Sequence, residues 1–268
     1  MAADQEKLRV AVVQEASTLD PEQNRSMLEA AGSVAADSQP PLDVLVFPEA
    51  FARDFGDQGS DISHFAEDTD GPFVQQMCKS AAEHRLTIVA GMFERSHDVR
   101  RPYNTLAVVD HDGLRATYRK IHLYDSFGYQ ESHRLLAGEI APAMVEVAGF
   151  TIGLMTCYDL RFPELARMLV DRGAELLVVP SAWVAGPAKV DHWRTLLMAR
   201  AIENTVYVAA SAQPAPRYCG HSMVISPTGE VLVELRDGQQ IGEATVEWDV
   251  LERARAQNPS LANRRLGA

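Results

Sequence analysis

The chain has 268 residues, of which 46% are hydrophobic and 23% charged, and it carries a formal net charge of -12. That length can bury a sizeable core in one large α/β domain or two small ones, and the acidic balance argues against nucleic acid as a partner, which would need a broad basic face. The three cysteines, Cys78, Cys157 and Cys219, are too widely spaced for a disulfide framework or a zinc site, so reduced thiols and a cytoplasmic location are expected. The opening MAADQEKLRV lacks a signal-peptide pattern and no apolar run is long enough to span a bilayer, so no membrane partner is expected.

Strands and helices alternate along the chain. LRVAVVQ reads as a buried strand, and PEQNRSMLEAAGSVAAD as a helix opened by Pro21. DVLVFPEA is a strand ending at Pro48-Glu49, GPFVQQMCKSAAEHR a helix and LTIVAGMFE a strand. NTLAVVDHDGLRATYRK has the pattern of a hairpin with Asp112-Gly113 as its turn, and MVEVAGFTIGLMTC that of a second, turning near Gly149. FPELARMLVDRG is a helix closed by Gly173, AELLVVPSAW a strand, and DHWRTLLMARAIENT a long amphipathic helix. VYVAASA, HSMVISPTGEVLVEL and GEATVEWDV complete the strands, and beyond Leu251 a polar tail containing Pro259 is expected to wrap over a surface. So many hairpins exclude a purely parallel doubly wound sheet, and so many helices exclude a plain β-sandwich. Mixed sheets packed face to face with helices outside satisfy both. DVLVFPEA and AELLVVPSA, each a strand left through a proline, are a faint echo of two similar halves.

Several polar residues fall just past strands: Glu49 after DVLVFP, Lys120 after LRATYR, Cys157 after TIGLMT and Ser181 after ELLVVP. In sheets with helical crossovers, the carboxyl ends of strands share a crevice, so residues far apart in sequence can meet there. A free thiol has a pKa of about 8.5 and is a poor nucleophile at neutral pH without help. A carboxylate can take its proton, and a lysine ammonium can favour the thiolate and stabilise an oxyanion. The Tyr158 N–H, at the turn into the next helix, offers a second oxyanion donor. Such a set performs acyl transfer at a carbonyl or nitrile carbon. Plainer readings stay open for each residue: Cys157 as a small core hydrophobe, Glu49 as a cap, Lys120 as a solvated cation, Glu131 as a loop carboxylate. His122 and His133 stand in no triad spacing and read as ordinary polar residues. Two other classes also remain, a scaffold without chemistry and a redox-active thiol protein, though no resolving cysteine lies near Cys157 in sequence.

Taken in order, LVFPEAF, YRKIHLYD, YQESHRLLAG and GLMTCYDLRFPELAR resemble the motifs of the nitrilase superfamily of carbon–nitrogen hydrolases, and the likeness runs from LRVAVVQ to NRR. The resemblance implies an α/β fold, a four-layer αββα sandwich with two mixed β-sheets. It implies a single domain over residues 1–268, with residues 252–268 as a C-terminal tail. Carried over residue by residue, Glu49 is the general base, Lys120 the oxyanion-stabilising lysine, Cys157 the nucleophile and Glu131 a second, positioning glutamate. No metal or organic cofactor is implied. A homodimer is, formed through the helix after the nucleophile and HWRTLLMARAIENT.

Within that superfamily CYDLRFPE is similar to the Nit-like amidases, among them the ω-amidases and deaminated glutathione amidases. Tyr158 stands where nitrile hydrolysers more often carry tryptophan. Arg161 matches an arginine that binds the substrate carboxylate in N-carbamoyl amino acid hydrolases, or else pairs locally with Asp159 or Glu164. Trp183 is expected to line the pocket. Tyr158, Arg161, Ser181 and Trp183 are thus the candidate substrate-binding residues, and Thr228, in GHSMVISPTG, departs from the aromatic residue usual there. The expected reaction converts a small, carboxylate-bearing linear amide to an acid and ammonia, with ureido and nitrile hydrolysis as alternatives.

Overall fold

Apolar residues fill both faces of the central strands, and both faces are covered. In the computed structural model, which describes residues 7–266, the elements in chain order are β1 (Lys7–Gln14), α1 (Pro21–Ala36), β2 (Val44–Val46), α2 (Pro72–His84), β3 (Thr87–Glu94), β4 (Tyr103–Asp110), β5 (Gly113–Arg119), β6 (Asp125–Ser126), β7 (Tyr129–Gln130), β8 (Met144–Val147), β9 (Phe150–Leu154), α3 (Pro163–Asp171), β10 (Leu176–Ser181), α4 (Lys189–Asn204), β11 (Tyr207–Ala212), β12 (Met223–Ile225), β13 (Val231–Glu234), β14 (Gln240–Glu247) and α5 (Trp248–Gln257). The strands form two six-stranded mixed sheets, ordered β14-β1-β2-β3-β4-β5 and β13-β12-β11-β10-β9-β8.

Side-chain alternation decides what each face meets. In the first sheet Val10, Val12, Val44, Val46 and Val89 join the core shared with the second sheet. Their neighbours Ala11, Val13, Leu45, Ile88 and Ala90 pack instead against Leu28 of α1 and Phe73 and Met77 of α2. Strands buried on both faces carry near-continuous apolar runs for this reason. On the other side, Leu165 and Leu169 of α3 and Trp193 and Leu197 of α4 cover the second sheet. The layers therefore run helix, sheet, sheet, helix, the αββα sandwich expected from the sequence. Asp20 caps α1 by accepting a hydrogen bond from the Glu22 N–H at 2.9 Å, an interaction worth about 1 kcal/mol.

The two halves repeat one another. β1, β2 and β3 are parallel, and β4 and β5 follow antiparallel. β9, β10 and β11 are parallel, and β12 and β13 follow antiparallel. β14 and β8 flank the two sets, antiparallel to β1 and β9. DVLVFPEA and AELLVVPSA, the two segments that echo each other, are β2 and β10, which occupy equivalent places.

Some boundaries differ from the sequence reading. The first hairpin turns at His111-Asp112, and Gly113 opens β5 opposite Asp110 with φ +112°. The second turns where it was expected, at Ala148-Gly149, both at positive φ, as a two-residue type I′ loop requires. GEATVEWDV is a strand only as far as Glu247, because Trp248 begins α5. That helix continues to Gln257, so residues 252–257, read as the start of a tail, are helical, and their buried Ala254 shows why. The short β6–β7 hairpin was not legible at all, since two-residue strands carry no periodicity.

Candidate active site

The chain reaches its nucleophile candidate through a strained turn. β9 ends at Leu154, the Met155 N–H still donates to Val178 O, and Cys157 opens a one-turn 3-10 helix, Cys157–Arg161, with φ +46°. A non-glycine residue there costs about 1–3 kcal/mol and persists only where its surroundings over-determine it. Asp159 supplies that constraint. Its fully buried carboxylate accepts hydrogen bonds from Thr156 N at 2.9 Å, Tyr118 Oη at 2.7 Å and His122 N at 3.1 Å, and lies 2.8 Å from His122 Nδ1. His122 also stacks on Phe162, with ring centroids 3.8 Å apart. Read from sequence as an ordinary polar residue, His122 thus ties the segment after Lys120 to the turn that holds Cys157.

Two glycines set the other candidates in place. A Cβ on Gly91 would lie 2.4 Å from Ala50 N and 2.8 Å from Glu49 Cα. One on Gly138 would lie 2.3 Å from Arg119 O, beside Lys120. Only bare backbone fits at either point. Gly91 N donates to Pro48 O and Gly138 N to Lys120 O, so the close approach is also hydrogen-bonded.

Glu49, Lys120 and Glu131 are all nearly inaccessible to solvent. Lys120 Nζ donates to Glu49 Oε1 at 2.9 Å and to Glu131 Oε2 at 2.9 Å and Oε1 at 3.1 Å. Asn104 Nδ2 bridges the same carboxylates, at 2.7 Å from Glu49 Oε1 and 3.3 Å from Glu131 Oε1. The second oxygen of Glu49 accepts from Ala182 N at 2.7 Å, and Gln213 Nε2 donates to Glu49 O at 2.9 Å. Asn104 and Gln213 were not singled out from sequence. Each comes from a distant strand end, and only folding brings it to Glu49.

Charge is unevenly shared in this cluster. Burial works against the Lys120 ammonium, but the carboxylates of Glu131 and Glu49 outweigh it and hold the lysine well above its usual range. Burial raises Glu131, against the pull of Lys120. Burial, with the Glu49 carboxylate adding to it, pushes the Cys157 thiol well up, and Lys120 opposes this without prevailing. The sequence reading gave Lys120 the power to favour the thiolate. In the structure burial and Glu49 win, so the resting group is a neutral thiol beside a carboxylate and an ammonium. Such a thiol can attack only as its proton leaves, which requires a base in contact.

Glu49, Lys120, Glu131 and Cys157 open onto one cavity of about 480 Å³, and Tyr158, Arg161 and Trp183 line it too. Ser181 does not. It is fully buried, and its hydroxyl has no hydrogen-bond partner among the described residues. Tyr124, Phe127, Lys189 and Arg217 also line the cavity and were missed. Arg161 makes no ion pair with Asp159, whose carboxylate is already engaged, or with Glu164. Its guanidinium lies 4.8 Å from the centre of the Trp183 ring. Among the described residues, two groupings bring three metal-capable side chains together, Glu29–Glu83–His84 and Asp110–His111–Asp112, and neither lines the cavity.

Residues 9–256 match the carbon-nitrogen hydrolase family, and the chain belongs to that family. It is 39% identical over 238 residues to a deaminated glutathione amidase of Escherichia coli O157:H7, covering 88% of this chain and 89% of that one. Its fold matches a carbon–nitrogen hydrolase superfamily protein from Xanthomonas campestris with a TM-score of 0.87 and 31% identity, over 98% of each chain. It also matches Nit3 of Saccharomyces cerevisiae, a member of branch 10 of the nitrilase superfamily, with a TM-score of 0.86 and 28% identity, over 97% of each chain. The resemblance to Nit-like amidases of the nitrilase superfamily, read from the motifs, is borne out.

Proposed function

We propose that the chain hydrolyses a linear amide of a small, carboxylate-bearing compound through a thioester on Cys157. The observation that carries this reading is the contact set Cys157–Glu49–Lys120–Glu131, buried yet open to a single cavity. Cys157 Sγ attacks the amide carbon while its proton passes to Glu49. The carbonyl oxygen takes the negative charge, beside the Lys120 ammonium and the Tyr158 N–H. Glu49 then gives the proton to the departing nitrogen, the C–N bond breaks and ammonia leaves. Water attacks the thioester, its proton going to Glu49 and from there to the sulfur, and the acid is released. Glu131 and Asn104 act through Lys120 and Glu49, holding both at a fixed distance. The likeness to deaminated glutathione amidases supports an amide over a nitrile.

A second reading, hydrolysis of an N-carbamoyl compound, is favoured by one observation, the lack of an acidic partner for Arg161. Ammonia release over α-keto acid amides, deaminated glutathione, N-carbamoyl amino acids and nitriles, with Cys157→Ala as blank, separates the readings. Ammonia without carbon dioxide is expected from an amide. Both gases together would assign the second reading, and full activity of Cys157→Ala would sink both. We further read the chain as one domain, cytoplasmic and homodimeric. Three free cysteines support the compartment, and the likeness to the nitrilase superfamily supports the dimer.

A further inference from the structure

Lys189 stands on the cavity wall with Arg161, and neither has an acidic partner among the described residues. Arg217, on the same wall, is by contrast held by Asp54 at 2.6 Å. Arg161 reaches only His192 Nδ1, at 3.5 Å, and its buried Nε has no partner. The Lys189 ammonium donates to Tyr124 Oη at 3.1 Å and lies 3.9 Å from the centre of the Phe127 ring. Arg161 and Lys189 both face the Phe127 and Trp183 rings, so the two cations share one aromatic surround. The placement is built into the chain. Ala188 adopts φ 56° just before α4, and Trp183 Nε1 donates to Lys189 O at 3.0 Å.

This arrangement works against itself while empty. Burial and the neighbouring Arg161 charge both push Lys189 below the usual lysine range. In a chain of net charge -12, acidic side chains are plentiful, yet the two that line this cavity, Glu49 and Glu131, are taken up by Lys120, and neither pairs with Lys189 or Arg161. Two like charges whose nearest neighbours are aromatic faces rather than paired carboxylates are relieved by an anion arriving from outside.

We infer that Lys189, beside the Arg161 that the family resemblance already implies as a carboxylate binder, completes an anion subsite for a carboxylate of the substrate other than its scissile group, and that Lys189 sets the preference for such an acid over its neutral counterpart. The inference rests on the amidase reading for the scissile end only, since binding is measurable without turnover. The probes are malonamate, succinamate and glutaramate, each against its diamide, which has the same shape without the charge. Calorimetry on Cys157→Ala is expected to show at least one acid binding about tenfold or more tighter than its diamide, as a charge-assisted hydrogen bond supplies. Lys189→Met in that background should cut the preference severalfold, because only Arg161 then remains, and Lys189→Arg should retain it, because the charge is kept. Equal binding of acid and diamide at every length, or a preference undiminished by Lys189→Met, would overturn the inference. A Lys189-dependent preference in a protein whose wild type releases no ammonia from the bound acid would support the subsite and count against the amidase reading.

Discussion

Cys157 is a thiol that its surroundings keep protonated, and that makes the roles of its neighbours separable. The Glu49 carboxylate raises the thiol and Lys120 lowers it. The pH midpoint for alkylation of Cys157, followed by mass spectrometry, is therefore expected above that of a free thiol. Glu49→Gln removes a negative charge and should move the midpoint down, while Lys120→Met removes a positive one and should move it up. Shifts of the opposite sign would mean that the carboxylate and ammonium do not face the sulfur as described. Cys219 is an internal control, since burial pushes its thiol up to about 12 and it should stay unmodified at neutral pH. At this scale the sequence was readable where a residue lies within three positions of a strand's end, as Glu49, Lys120 and Cys157 do. It was silent on Asn104, Gln213 and Lys189, whose partners lie tens of residues or more away in the chain. Ser181 also ends β10, but its side chain is fully buried.

Elements position the site by how closely their backbones approach. β3 runs past the loop that leaves β2, and Gly91 makes the crossing possible, with Ala52 N donating to Gly91 O at 3.0 Å. The methyl of Gly91→Ala would meet backbone rather than a movable side chain, so the loop carrying Glu49 must shift. Overpacking of this kind costs about 1–3 kcal/mol. The sharper expectation is catalytic, because a displaced base loses more than its share of stability. With Glu49 as base, Gly91→Ala should remain folded by circular dichroism and lose about tenfold or more in kcat. Wild-type kcat in the folded variant would show that the crossing does not set the position of Glu49. The strand containing Gly91 was evident from LTIVAGMFE, but the reason for its glycine was not. A close approach is a property of two segments, and one sequence run displays only its own periodicity.

Across the whole molecule, the halves related by their repeated topology are joined by the last part of the chain. β14 pairs with β1 in the first sheet, and α5 follows at once toward the second. There Trp248 packs edge-on against Phe150 of β9 with centroids 5.8 Å apart, and Tyr207 Oη of β11 donates to Glu247 O at 3.3 Å. The core shared by the sheets holds side chains from β1, β2, β9, β10 and β11 alike, so neither half has a separate inner core to retain once the other is lost. Trp248 is half-buried and part of this junction. Trp248→Ala should lower stability by about 2 kcal/mol through lost apolar burial and the lost aromatic contact. Because the inner layer is common to both halves, the loss should appear as one urea transition moved to lower concentration with its slope unchanged. A second transition, or a shallower slope, would show that the halves unfold apart and that the C-terminal segment, rather than the shared core, makes them cooperate.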